Sequence, residues 1–250
     1  MIGYPHHPEA HFPIDTTNPI RPSKALYLDQ DAHSKSLTFV EVTSAVLPIF
    51  TKNYSIAELE EPSALFTAAK KASESETAKR TLHLEHKNGL LSHTHYVATA
   101  PAQDADVTQN MIVADLTSEG LLSFGKWTIK FPATQSSAGE ETAAAEVHMR
   151  PAGAFSPTDY FVHDGVSFLW EMIDLEGPGY GQTQRVCRLF KATEGKRREV
   201  TRFMMERRWD KNHGVLVLQA PNSEGEGGVD EIVACVTCVA TVHRVESFRA

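Results

Sequence analysis

Residues 230–244 read Asp-Glu-Ile-Val-Ala-Cys-Val-Thr-Cys-Val-Ala-Thr-Val-His-Arg, and this stretch decides the fold. Within its apolar run, only Thr237 and Thr241 carry hydroxyl groups. The many β-branched residues favour a strand on propensity alone. Acids precede the run, however, and His243 and Arg244 follow it, as at the two ends of a helix. Because a helix that is apolar on every side must be surrounded by protein, we predict a short helix buried inside a β-barrel.

The chain before this stretch alternates as β-strands do. Val166, Phe168, Trp170 and Met172 share one face at a period of two, so we predict that this face is buried. Glycine after an acid marks the turns at 164–165 and 194–195. Further strands of this meander are predicted at residues 159–163, 183–191, 198–209 and 215–219.

The first half of the chain gives a less regular β pattern. Residues 81–86 alternate, and Asn88-Gly89 predicts a tight turn because both central residues of a type I′ turn need positive φ. A strand is predicted from Leu47 to Ile56, whereas residues 64–72 fit either a strand or a helix. Residues 133–142 are small and polar and predict a loop. Other strands are predicted at residues 25–29, 36–42, 91–98, 107–115, 121–131 and 143–150.

Residues 1–23 differ from the rest in holding five prolines and three histidines with no apolar period. Proline disrupts helices and central strands alike. We therefore predict a flexible or draped arm, followed by a single β-barrel domain over residues 24–250.

The order of the elements also points to a family. The run Phe161 to Trp170 opens the meander, and residues 198–209, 214–218 and the acid-led apolar segment follow it. In this order the chain resembles the tubby C-terminal-like domain family, in particular its uncharacterised fungal branch. It is similar in layout to LURP-one-related proteins and phospholipid scramblases. The resemblance implies an all-β fold with one buried helix, a closed antiparallel barrel of about twelve strands around an apolar C-terminal helix.

Composition excludes several functional classes. The net charge is -8 and the isoelectric point is near 5.8, whereas a general nucleic-acid binder carries a broad basic excess. A stretch of about 20 apolar residues, as a transmembrane helix requires, is missing. The first residues lack the basic and apolar regions of a secretory signal. Three cysteines suit a reducing compartment, so we expect a cytoplasmic protein.

The strongest charge feature is the window from Arg185 to His213, which holds ten cationic and four acidic residues. Each cation near a membrane surface contributes roughly 1 kcal/mol to the binding of anionic lipid. A run of three cations beside the turn at 194–195 is suited to capture an anion. The alternative is a solvated strand face whose charges guard a sheet edge. The candidate anion- or lipid-binding residues are Lys196, Arg197, Arg198, Arg207, Arg208 and Lys211.

Histidines in the first predicted hairpin raise the possibility of a metal site. His93 and His95 share a face by alternation, as two ligands require, but His83 and His86 point to opposite faces. Cysteines and ordered carboxylates do not complete the set, so we interpret these histidines as exposed polar residues and predict no metal.

Motifs of catalysis are missing from the sequence. Cys235 and Cys238 form a C-x-x-C, but a redox pair needs an accessible thiolate, and cysteines in an apolar run pack as small hydrophobic residues. The nucleophile elbow, the Walker A loop and the Rossmann fingerprint do not occur. We therefore expect a protein that is not an enzyme and needs no cofactor.

These observations favour a non-enzymatic, cytosolic binding or scaffold module. Its candidate partner is an anionic phospholipid surface, met by the basic residues named above. The alternative is a small-molecule or protein interaction module that uses loops at the mouth of the barrel, including residues 177–181. Nucleic acid is not an expected partner.

Overall fold

The computed structural model describes residues 7–52, 62–88, 94–101, 110–119, 125–135, 141–153, 156–176, 183–208, 211–221 and 228–247, with the backbone alone at some element ends. In this part of the chain, twelve strands close into an antiparallel barrel around a C-terminal helix, which confirms the predicted fold. The described residues form fourteen strands, all but β7 and β8 in the barrel: β1 (Lys24–Gln30), β2 (Leu37–Glu41), β3 (Arg80–Asn88), β4 (Thr94–Pro101), β5 (Asn110–Ser118), β6 (Trp127–Phe131), β7 (Thr134–Gln135), β8 (Glu141–Thr142), β9 (Ala145–Pro151), β10 (Thr158–His163), β11 (Val166–Glu176), β12 (Thr183–Thr193), β13 (Lys196–Arg208) and β14 (Lys211–Leu218).

The barrel is a simple meander. Strands that follow one another along the chain lie side by side, β9 lies beside β6, and β1 closes the barrel by pairing with both β2 and β14. The short strands β7 and β8 pair with each other in a separate ladder, inside the stretch that the sequence predicts as a loop. Because the strands run alternately up and down, residues that are distant in sequence come close together at each end of the barrel.

The helix α3 (Glu231–Ser247) fills the barrel, as predicted. From Val233 to Val242 every side chain is at most 4% exposed, and these side chains are all valine, alanine, cysteine or threonine, so the helix is thin enough to be enclosed. The Oγ1 of Thr237 donates to the carbonyl of Val233 at 2.7 Å and accepts from Nε1 of Trp170 at 3.0 Å. This hydroxyl therefore satisfies the buried indole of the barrel wall. We call the end where α3 begins the upper end and the end where it finishes the lower end.

Two helices cover one side of the barrel: α1 (Thr43–Lys52) and α2 (Pro62–Ser73). The strand predicted from Leu47 to Ile56 is therefore wrong over residues 47–52, while residues 53–56 lie outside the described part. The helical alternative holds for residues 64–72. Val42, Val46 and Phe50 recur every four residues and are at most 2% exposed, a helical spacing that overrides their β propensity. These helices pack on outward-facing side chains of β1 and β14, so both faces of those strands are buried. Of the helices that the structure describes, none has the length and apolar character to cross a bilayer.

The acid–glycine turns are confirmed. Asp164 and Gly165 have φ of 50° and 72°, and Glu194 and Gly195 have φ of 52° and 74°. The two-residue turn predicted at Asn88-Gly89 is wrong, because Asn88 ends β3 and pairs with Thr94. The connecting residues 89–93 lie outside the described part of the chain.

Candidate basic site at the upper end of the barrel

The β12–β13 hairpin gathers positive charge at the upper end. Its two-residue turn pairs Thr193 with Lys196, and two steps further along it pairs Lys191 with Arg198. Lys196 is exposed, while Lys191 and Arg198 are partly buried. Lys191, Lys196 and Arg198 thus lie close to one another around a single hairpin turn.

Lys191 and Arg198 are directly opposed, so their side chains lie on the same face with Cβ atoms about 5 Å apart. Like charges in this arrangement destabilise a sheet. Neither forms an ion pair with a described carboxylate. The Arg198 guanidinium makes a long hydrogen bond, 3.5 Å from Nη2 to Oε1 of Gln219. Within the described part of the chain, the fold therefore holds these two cations together without an ion pair to either of them.

A second opposed pair on the same strands shows the contrast. Arg188 is the direct partner of Arg202 on the outer face of the barrel. Arg188 Nη2 lies 3.6 Å from Oε2 of Glu171, and Arg202 Nε lies 2.6 Å from Oε1 of Glu199. The Arg202–Glu199 pair is buried against the ring of Phe50 in α1. Each arginine of this second pair thus forms an ion pair with its own glutamate, unlike Lys191 and Arg198.

Arg197 has a different environment from its neighbours. Its Nε donates to the carbonyl of Phe12 at 2.8 Å, and its guanidinium lies over the ring of Phe190, 5.3 Å from the centroid. Its backbone also pairs with Ile14. Arg197 is thus an anchor for the N-terminal segment, which lies against the barrel in its described part, residues 7–23.

The remaining predicted site residues lie at the other end of the barrel. Arg208 pairs with Lys211 and Arg207 with Asn212 at the β13–β14 turn. Arg207 and Arg208 are separated from Lys196 by roughly 36–40 Å of strand, at about 3.3 Å of rise per residue along β13. The side chains of Arg207, Arg208 and Lys211 lie outside the described part. The six predicted residues therefore do not form one patch.

At the lower end, the barrel encloses an ion pair that the sequence did not predict. Arg244 Nε lies 2.8 Å from Oδ1 of Asp159, and these side chains are 6% and 1% exposed. Arg244 Nη1 also donates to the carbonyl of Ser156 at 3.2 Å. Burial raises the pKa of Asp159 to about 6, although Arg244 and Thr241 act in the opposite direction. The pair ties the last turn of α3 to β10.

A histidine–aromatic cluster lies beside this ion pair. His243 of α3 packs edge-on against Trp127, with ring centroids 5.4 Å apart, and its Nε2 lies 3.2 Å from Oγ1 of Thr94. His86 packs against Tyr96 in the same way at 5.2 Å. Burial is the main cause that lowers the pKa of both histidines. Neutral imidazoles therefore help to close the lower end.

The histidines and cysteines that the sequence analysis considers lie in different places in the fold. Among the residues described, histidines, cysteines and acids do not group in threes that could hold a metal ion. His83 bonds to Thr38 and His95 to Asp115, while His93 lies outside the described part. Cys235 and Cys238 are fully buried, which raises the pKa of both thiols and confirms that they are core residues.

Comparisons with protein-family models, with curated proteins and with solved structures find no match to this chain. The fold and the side chains on it are therefore the basis of any functional proposal.

Proposed function

We propose that this protein is a non-enzymatic binding module that takes an anionic lipid head group at its upper end, through Lys191, Lys196 and Arg198. The observation that carries the proposal is the directly opposed pair Lys191 and Arg198, neither of which forms an ion pair with a described carboxylate. Two opposed cations destabilise the sheet, and a bound anion that bridges them would offset this repulsion. Binding sites commonly contain residues that lower the stability of the free protein in this way.

The chemistry of the site suits phosphate. A guanidinium offers two parallel donors to one phosphate group, and lysine ammonium groups add point charges that recognise a second. A phosphoinositide head group carries several phosphates. The rigid barrel beneath the hairpin keeps the cations in place before the ligand arrives. The predicted resemblance to tubby-like barrels supports the same ligand class and stays a prediction.

Four groups with shifted pKa values inside the barrel have structural partners, which supports a non-enzymatic role. Asp159 is bonded to Arg244, His243 to Thr94, and Cys235 and Cys238 pack inside the barrel. Each of these groups is engaged in closing or filling the barrel, where a substrate would have to displace α3. The loop at residues 177–181, which the alternative prediction uses, lies outside the described part.

Vesicle sedimentation with a matched pair of variants tests the proposal. Lys191→Gln/Arg198→Gln removes two cations from the site, while Lys70→Gln/Lys71→Gln removes two exposed cations from the last turn of α2. At about 1 kcal/mol per cation, the first variant should bind phosphoinositide vesicles about 30-fold more weakly than wild type, and the control should bind equally well. Arg197 is left unchanged because it anchors the N-terminal segment.

Salt dependence and thermal stability give two further measurements for this test. Binding by the wild type should weaken as salt rises, because the attraction is electrostatic and Lys196 is exposed to solvent. The site variant should be at least as stable to heat as wild type, because it removes a repulsion. Equal binding by both variants, or binding that salt does not weaken, would contradict the proposal and favour a protein or small-molecule ligand.

A further inference from the structure

The N-terminal segment crosses the outer surface of the barrel next to the basic site. His7 stacks on Tyr160 of β10, with ring centroids 3.7 Å apart, and Ser167 of β11 donates to Oε1 of Glu9 at 3.4 Å. Phe12 then meets Arg197 of β13. The segment thus runs across β10, β11, β12 and β13 in order.

Two buried side chains lie on the outer face of the barrel beside Arg197. Leu169 and Phe190 are direct partners on β11 and β12 and are fully buried. Leu169 faces away from the lumen, because it alternates with the inward Phe168 and Trp170. The guanidinium groups of Arg188 and Arg197 lie over the Phe190 ring, 5.1 Å and 5.3 Å from its centroid. Through its bond to Arg197, the segment therefore holds one of the two cations that cover Phe190.

The segment also adds a short strand to β13. Because β14 pairs with β13 only from Thr201 onward, the edge at Arg197 is open to another strand. Arg197 N donates to the carbonyl of Pro13 at 2.9 Å, and Asp15 N donates to the carbonyl of Arg197 at 2.8 Å. These two bonds are the main-chain pattern by which an extended peptide docks on a sheet edge.

Strand addition places an acid at the basic site. Asp15 Oδ1 accepts from the amide of Thr17 at 3.0 Å, and Oδ2 accepts from Asn18 at 2.8 Å. The hydrogen bonds from Asn18 and Thr17 lower the pKa of Asp15 to about 2, and the charge of Lys196 acts in the same direction. Asp15 is therefore ionised at neutral pH, beside the exposed lysine of the site.

We propose that residues 7–15 are an internal competitor of the basic site, so that docking of this segment and binding of an anionic head group oppose each other. The inference rests on the proposed function. A phosphate group bound at Lys196 is repelled by the Asp15 carboxylate. The segment must therefore move away before the phosphate can form a close ion pair with Lys196. Because coupling is reciprocal, the ligand must loosen the segment as much as the segment weakens the ligand.

The first test is the affinity of full-length Asp15→Asn for phosphoinositide vesicles. Removing one repulsive charge should tighten binding about fivefold. Asp31→Asn is the matched control: Asp31 also accepts bonds from following residues, His33 and Ser34, and its pKa is also lowered, but it lies at the lower end. The control should bind as wild type does.

The second test is hydrogen exchange of the wild-type chain with and without vesicles. The amides of Asp15 and Arg197 are hydrogen-bonded in the docked state, so bound vesicles should accelerate their exchange. Soluble inositol phosphate in place of vesicles shows whether the head group alone is enough. Vesicles that bind wild type and Asp15→Asn equally, with unchanged exchange at these amides, would overturn the coupling and leave the binding function in place. A lack of binding by both proteins at low salt would overturn the function as well.

Discussion

The buried pair Asp159 and Arg244 gives a quantitative prediction about how α3 is held. Its Nε–Oδ1 distance is 2.8 Å, and both side chains are almost fully buried. We consider Asp159→Leu, Arg244→Met and the double variant. Removing one member of a buried ion pair leaves the other uncompensated, whereas replacing both with apolar residues is often neutral.

The magnitudes follow from the burial of each partner. Asp159→Leu leaves a guanidinium that cannot lose its proton, so it should lower the free energy of unfolding by about 3–5 kcal/mol. That is roughly 6–20 °C in the melting temperature for a chain near this size. Arg244→Met should cost less, because Asp159 can take up a proton. The double variant should lie within about 1 kcal/mol of wild type.

Urea unfolding of the four proteins at pH 7 and pH 5 checks this cycle. The folded-state pKa of Asp159 is raised to about 6, so the carboxyl is ionised at pH 7 and mostly protonated at pH 5. Once Arg244 is removed, the pKa rises further. The cost of Arg244→Met should therefore be smaller at pH 5 than at pH 7. Single variants that each cost less than about 0.5 kcal/mol, or costs that simply add in the double variant, would refute the reasoning.

Three further predictions concern the packing of the barrel. Thr237→Val should lower the free energy of unfolding by about 1–3 kcal/mol, measured in urea, because it leaves the buried Trp170 indole without its acceptor. Gly214→Ala should cost at least about 1–3 kcal/mol, because its Cβ would overlap the ring of Phe203 and lie 2.7 Å from the carbonyl of Met204, whereas Gly153→Ala should be nearly neutral. The pKa of His243 is lowered by burial and by the nearby charges of His86 and Lys35. The neutral imidazole therefore contributes to the free energy of unfolding above pH 6.5, and this contribution is lost on acidification. The stability advantage of wild type over His243→Gln should therefore shrink between pH 7 and pH 5, and an unchanged gap would contradict this assignment.

The central helix could be predicted because its sequence allows few alternatives. A run of small apolar residues with an acid before it and bases after it can be helical only if protein surrounds it, and the meander supplies that surrounding. The acid–glycine turns were equally informative, since positive φ restricts residue choice.

The outer helices were partly missed because local propensity competed with periodicity. Ile49 and Phe50 suggest a strand, while Val42, Val46 and Phe50 share one face of a helix. The continuous apolar run 215–218 does indicate an outer layer. Such a run fits a strand that is buried on both faces, so other elements must cover its outer face.

The basic site was predicted only in part because pairing register is not local. The sequence identifies Lys196, Arg197 and Arg198 by proximity to a turn. It does not show that Lys191 faces Arg198, that Arg197 anchors the N-terminal segment, or that Arg207, Arg208 and Lys211 lie at the opposite end. Likewise, Asp159 and Arg244 are 85 residues apart and meet only because α3 threads the barrel.

The most direct test of the central claim is to locate the bound anion by amide chemical shifts. Soluble inositol phosphate would be titrated into isotope-labelled wild type and into Lys191→Gln/Arg198→Gln. We expect the largest amide shifts between residues 191 and 198, smaller shifts at Asp15, and the loss of these shifts in the variant. Shifts centred on the lower end, or equal shifts in both proteins, would contradict this expectation.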